Sequence, residues 1–262
     1  MKVPALSYPG FGRIKKENSA GIPPIIFLDF DGTLAPIVSR PASARLPKKT
    51  RTVLQALAKR FPVVVISGRD LQDIHARIGI DEVIYAGSHG MEWQMHGKRH
   101  IKNPGKRELQ ALSGARRSLL SIAPAFRGLI VEDKRRSFAL NYRALPAELS
   151  AVFVEAAFAA IEPYRSQLRV LNELATFDVL PKVSWTKGQC SLAILEELER
   201  SDGIRYFPIY FGDSLTDEDA FRALKSGVTI RIGGGKSLAR YRLLRTSVDP
   251  YLMKLLQLPE NA

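Results

Sequence analysis

The chain has 262 residues, enough to bury roughly three-quarters of the surface its unfolded form would expose. Apolar residues make up 45% and charged residues 25%, a mix that excludes a mostly disordered chain, a collagen-like fibre and a coiled-coil rod. Lys and Arg outnumber Asp and Glu by 39 to 26, a formal charge of +13, which asks for an anionic partner: nucleic acid, an acidic membrane surface or a phosphorylated small molecule. A lone cysteine, Cys190, rules out an intrachain disulfide and any multi-cysteine zinc site. No stretch reaches the ~18 continuous apolar residues of a membrane span, and the first twenty residues carry no apolar signal core. The expectation is a cytoplasmic protein.

Residues 1–20 read as an irregular lead-in. Ile25-Ile26-Phe27-Leu28 is then a continuous apolar run that stops at Asp29, the pattern of a strand buried on both faces. The same pattern recurs at Val63–Ile66 before Ser67-Gly68, at Val83–Ala86 before Gly87, at Pro208–Phe211 before Gly212-Asp213, and at Val228–Ile232 before three glycines. Helical periodicity separates most of these runs, over 48–60, 188–200 and 217–225. Asp249-Pro250 reads as an N-cap and first turn for a last helix through Leu258.

Alternating strands and helices predict an α/β, Rossmann-like, doubly wound parallel sheet whose ligands lie at the carboxyl ends of the strands. The middle of the chain differs. Residues 106–122 and 146–165 read as amphipathic helices. Short alternating segments fall at 127–133, 137–143, 168–173 and 176–180, the first two joined by a hairpin at Lys134-Arg135-Arg136. This predicts a core from 1–103 and 183–262 with an inserted α+β domain at 104–182. Basic residues thicken at Lys98–Arg107 and at 134–136. Neither cluster interleaves aromatics as a single-strand platform would, so charge alone selects no function; no nucleic acid and no membrane is expected as a partner, and a monomer is the default.

The strand ends carry the chemistry. Asp29 and Asp31 follow the first strand two residues apart, and in extended backbone such residues point to one side. Like charges in a confined site need something to hold them; Mg²⁺ with substrate phosphate oxygens would do so. An Asp carboxylate is a competent nucleophile, and a second Asp can act as general acid and base. Asp-Gly is also common in Asx-type turns. Ser67-Gly68-Arg69 offers a hydroxyl and backbone N–H groups for a phosphate, or is an ordinary turn. Lys187 at a helix start could neutralise a transferring phosphoryl group, or be a plain surface Lys. Asp213 could add a metal carboxylate and Asp217 support it, while Thr216 or Asp217 could equally begin a helix.

Asp29-Phe30-Asp31-Gly32-Thr33, Ser67, Lys187 and Gly212-Asp213, in this order, resemble the haloacid dehalogenase (HAD) phosphatase superfamily over nearly all of the core. The resemblance implies Asp29 as nucleophile and Asp31 as general acid/base. Thr33, Ser67, Gly68 and Lys187 would lie at the phosphate. Mg²⁺ would be held by Asp29, the Asp31 backbone carbonyl and Asp213, with Asp217 behind them, and the insert would be a C2-type cap. A narrower resemblance joins Ser67-Gly68-Arg69, Gly87-Ser88-His89-Gly90, Val131-Glu132-Asp133-Lys134, Asn141-Tyr142-Arg143, Pro181 with Lys187-Gly188, and Gly212–Glu218 to trehalose-6-phosphate phosphatases. It implies hydrolysis of trehalose 6-phosphate with Arg69, His89, Glu132, Lys134, Arg143 and Asp178 as substrate contacts. Four positions depart from that pattern: Asn141 for a His, Asp178 for a Glu, Leu180 for an Arg and Ser214 for an Asp.

The leading expectation is therefore a Mg²⁺-dependent phosphomonoesterase for a sugar phosphate, trehalose 6-phosphate first and the sucrose, mannosylglycerate or glucosylglycerol esters as rivals. A mutase-like phosphotransferase and a basic nucleic-acid-binding protein on a degenerate phosphatase scaffold are the other readings. The intact set Asp29, Asp31, Lys187 and Asp213 argues against the latter. Linkers near 103–106 and 181–184 imply a cap that opens for substrate and closes over it.

Overall fold

In the computed structural model residues 8–134, 136–173 and 175–260 are described, and the chain divides into two compact units. One takes the residues up to Val38, Ala42–Ile101 and those from Trp185 onward; the other takes Ser39–Pro41 and Lys102–Ser184.

In chain order the first unit contains α1 (Phe11–Ser19), β1 (Pro24–Leu28), α2 (Lys48–Ala58), β2 (Val63–Ile66), α3 (Leu71–Ile78), β3 (Ile84–Gly87), β4 (Glu92–Met95) and β5 (Lys98–Ile101). The second unit follows with α4 (Lys106–Ile122), β6 (Ile130–Asp133), β7 (Phe138–Asn141), α5 (Ala147–Ile161), β8 (Leu168–Glu173) and β9 (Thr176–Pro181). The chain then returns to the first unit with α6 (Lys187–Asp202), β10 (Phe207–Gly212), α7 (Asp217–Ala223), β11 (Val228–Ile232), β12 (Tyr241–Leu243) and α8 (Val248–Leu255).

The eight strands of the first unit lie in the order β12-β11-β10-β1-β2-β3-β4-β5. From β12 to β3 neighbouring strands run parallel, and β4 and β5 are antiparallel additions. The continuous apolar runs are the consequence of covering both faces. Ile26, Leu28, Val63, Val65, Ile209 and Phe211 pack with Ile14, Leu54, Ile74 and Leu252 on one side. Ile25, Phe27, Val64, Ile66 and Tyr210 pack with Ile194 and Phe221 on the other. In the second unit the sheet order is β6-β7-β9-β8, antiparallel throughout. There the helices cover one face: Phe138, Leu140, Phe177 and Val179 pack with Leu112, Leu119, Phe153 and Ala157.

Two expectations need correction. The lead-in is not irregular where it is described: α1 forms there and docks through Ile14, with Arg13 over the Phe207 ring at 5.2 Å and donating to Ser226 O at 2.6 Å. Its apolar side holds few residues, so periodicity alone is weak. Asp249 is also not the cap of α8. Ser247 occupies that position, and Asp249 lies in the first turn, where its Oδ1 accepts from Thr50 Oγ1 at 2.8 Å. Of the hairpin triplet, Arg135 lies outside the described residues. Among the described residues no helix is long and apolar enough to cross a membrane.

Candidate active site

Because β10, β1, β2 and β3 are parallel neighbours, the segments after them leave the same edge of the sheet. Asp29 follows β1 directly, and its amide donates to Phe211 O at 2.9 Å, which ties it to the end of β10. Gly32 turns the loop with φ +89°, and a Cβ there would come within 1.8 Å of Asp213 Oδ2. Only glycine satisfies both conditions.

Lys187, the first residue of α6, is 2% exposed. Its ammonium donates to Asp29 Oδ1 at 2.7 Å and to Asp217 Oδ1 at 2.8 Å. Asp217, at the start of α7, is fully buried and also accepts from Tyr210 Oη at 2.8 Å and from Ser214 N and Oγ at 2.9 and 2.7 Å. Ser214 therefore does more here than fill the place of an acid: its hydroxyl braces Asp217, and its carbonyl accepts from Arg231 Nη1 at 2.9 Å. Oxygens of Asp29, Asp213 and Asp217 all lie within 4.8 Å of one another.

Burial sets the charge of this cluster. It pushes the Asp213 carboxyl up to about 9, helped by Asp29 and Asp217. It likewise raises Asp29 to about 7, Lys187 opposing the rise. Burial opposes ionisation of Asp217 too, but Lys187 outweighs it and holds this carboxyl below its usual range. Burial disfavours the Lys187 charge, yet Asp217 and Asp29 overcome it and raise its pKa. With all three carboxyls ionised, the one ammonium would leave two negative charges uncompensated, which is why burial raises Asp213 and Asp29, and Asp213 Oδ1 is buried with no hydrogen-bond partner among the described residues. A hard divalent cation fits that oxygen set and that charge.

Asp31 lies apart from this trio. Both its carboxylate oxygens accept from Arg69, at 2.7 Å each. Thr33 is buried, its Oγ1 without a hydrogen-bond partner among the described residues. Ser67 Oγ accepts from Arg69 N at 3.2 Å. His89 is buried in a left-handed conformation, φ 56°, within the tight turn Ser88–Gly90. Its amide donates to Ser67 O at 2.9 Å, and a Cβ on Gly68 would stand 2.6 Å from its ring. Sequence reasoning missed Tyr210, Asp73 and Arg231. Tyr210 sits within an apolar run, and nothing local marks its hydroxyl as a ligand of Asp217.

The remaining candidates belong to the second unit. Register places Glu132, Ala139 and Asp178 side by side across β6, β7 and β9, on the face opposite the helices. Lys134 Nζ donates to Asp178 Oδ1 at 3.1 Å, and Arg143 Nη2 to Thr176 Oγ1 at 3.1 Å. Asn141 Oδ1 accepts from Arg143 N at 3.2 Å, and Leu180 is buried.

A parallel sheet with an acidic pair after its central strand, a Lys from a following helix and a further carboxylate pair after β10 is the architecture of HAD-like phosphatases. Within that class the chain belongs to the trehalose-phosphatase family, whose sequence model matches residues 27–240. It is 39% identical over 199 residues to a trehalose-phosphate phosphatase of Mycobacterium tuberculosis, covering 76% of this chain and 50% of that protein. It is 38% identical over 242 residues to an uncharacterised glycosyl hydrolase of the same organism, covering 87% of this chain and 18% of that one. The chain thus spans about half the length of the curated phosphatases it matches. Among solved structures, the C-terminal domain of the Candida albicans trehalose-6-phosphate phosphatase shares the fold with a TM-score of 0.81, at 23% identity over 98% of both chains.

Proposed function

We propose that this chain is a Mg²⁺-dependent phosphomonoesterase that hydrolyses trehalose 6-phosphate to trehalose and phosphate. The observation that carries the reading is the buried Asp29–Lys187–Asp217 chain beside Asp213, in a chain that matches the trehalose-phosphatase model along most of its length.

In this reading an Asp29 carboxylate oxygen attacks phosphorus. The bond to the sugar oxygen breaks, and Asp31 gives that oxygen its proton. Asp31 then takes a proton from the water that cleaves the resulting aspartyl phosphate, and Asp29 is regenerated. Lys187 orients Asp29 and offsets phosphoryl charge. Thr33, Ser67 and the Gly68 amide hold phosphate oxygens. Asp29, the Asp31 carbonyl and Asp213 would hold Mg²⁺, which would supply positive charge for the phosphoryl oxygens. In the second unit Glu132, Lys134, Arg143 and Asp178 hydrogen-bond sugar hydroxyls, for which carboxylates and cations are strong partners.

A panel of trehalose, sucrose, mannosylglycerate and glucosylglycerol phosphate esters, with free phosphate measured in Mg²⁺ and in EDTA, tests the proposal. Turnover is expected to be fastest with trehalose 6-phosphate and to stop in EDTA. Equal rates across the panel would refute the named substrate, and turnover undiminished in EDTA would refute the metal requirement.

A further inference from the structure

Arg69 stands at a junction between the two chemical parts of the site. Its side chain is 8% exposed, and its guanidinium lies over the Phe30 ring at 5.6 Å. Nε and Nη2 donate to the two oxygens of Asp31, whose side chain is 41% exposed and so has little packing to fix it. A planar fork on a carboxylate sets both its place and its plane, which a single ammonium cannot do.

The fork is itself braced. Arg69 Nη1 donates to Asp73 Oδ2 at 3.0 Å, and both oxygens of Asp73 accept from Arg77 Nε at 2.9 Å. Arg77 Nη1 ends the series on Ala44 O at 2.6 Å. Because Asp73 and Arg77 are one turn apart on α3, the brace runs along the helix and inherits its rigidity. The Arg69 backbone completes the junction: its amide donates to Ser67 Oγ, and its carbonyl accepts from Ser88 N at 2.6 Å.

We propose that Arg69 is a positioning residue which holds the Asp31 carboxylate in place for proton transfer, with Asp73 and Arg77 as its brace, rather than a ligand of the substrate. The proposal rests on the reading of Asp31 as the general acid and base.

The test compares the unaltered chain with Arg69→Lys, Asp73→Asn, Asp31→Asn and the Asp31→Asn/Arg69→Lys double variant. Two readouts are taken: steady-state hydrolysis of trehalose 6-phosphate, and first-turnover release of nitrophenolate from p-nitrophenyl phosphate, a leaving group that needs no proton. Arg69→Lys is expected to lower kcat on the sugar ester by about tenfold or more, with KM and the nitrophenolate step changed by no more than about twofold. Asp73→Asn moves kcat in the same direction by a smaller factor. In the Asp31→Asn background Arg69→Lys adds less than about twofold, because residues acting through one another are not additive.

A rise in KM for both esters would overturn the proposal in favour of a substrate ligand, and so would a full additional loss in the Asp31→Asn background. Equal losses in both readouts would assign Arg69 a structural role instead. If Arg69→Lys fails to fold, Asp73→Asn alone and combined with Asp31→Asn carries the same comparisons. An unaltered chain that turns over neither ester sinks the phosphatase reading and this proposal with it; turnover by the unaltered chain with the wrong pattern in the variants sinks this proposal alone.

Discussion

Removing the Lys187 ammonium would leave Asp29 and Asp217 buried without the cation they share. Such a loss costs about 3–5 kcal/mol, so Lys187→Met should lower the urea midpoint markedly as well as abolish turnover. Asp29→Asn should abolish turnover without that cost. Asp31→Asn should lower kcat by about 10²–10⁴-fold, the range for a lost proton-transfer group; near-normal rates in either Asp variant would contradict the roles assigned. The raised carboxyls of Asp29 and Asp213 define a pH window. A folded-state value above the unfolded one adds stability that is complete below about pH 4 and is lost as pH rises through about 7 for Asp29 and about 9 for Asp213. Asp217 has the opposite sign: its contribution is present above the unfolded carboxyl value and is lost as pH falls through its lowered folded value. Asp213→Asn should therefore raise the melting temperature of the metal-free chain at pH 8 and remove the stabilisation that added Mg²⁺ gives the unaltered chain. Thermal scans in EDTA and in excess Mg²⁺ check both.

At the scale of elements, the loop that leaves β1 lies tight against the segment that follows β10. Gly32→Ala must pay for a left-handed φ and move Asp213. It is expected to lower kcat about tenfold or more, since each ~1.4 kcal/mol of misplacement is a factor of ten, and to blunt the Mg²⁺-dependent rise in melting temperature. The strands of the sheet centre were legible because burial on both faces makes them continuous apolar runs. Strands β4, β5 and β12 were not. Lys98–Ile101 reads as a basic cluster, yet it forms the outer strand, where charge guards an edge. Helix α1 was missed for a related reason: a short basic helix with Ile14 as its anchor gains its stability from docking rather than from its own pattern.

Across the whole molecule, part of the +13 charge has a structural use. Arg60 Nη2 donates to Leu258 O at 2.8 Å beyond the end of α8, Arg13 to Ser226 O, and Arg245 Nη2 to Leu34 O at 2.8 Å beside the Asp29 loop. These arginines satisfy carbonyls at turns and helix ends, so the charge does not by itself call for nucleic acid. The proposed reading divides labour between the two units, with bond breaking in the first and sugar recognition in the second. Glu132→Ala or Lys134→Ala should then raise KM for trehalose 6-phosphate while leaving p-nitrophenyl phosphate turnover unchanged. Equal losses on both esters would contradict that division.

The order of acidic, hydroxyl and basic residues along the chain was enough to single out Asp29, Asp31, Lys187 and Asp213 as candidates, because each follows a run or opens a helix whose period is local. Which carboxylate meets which cation was settled only by folding. Asp217 shares Lys187 with Asp29, and Asp31 turns to Arg69. These pairings join residues 30 to 158 positions apart, and parallel strand order, which no local pattern encodes, decides the distance between them.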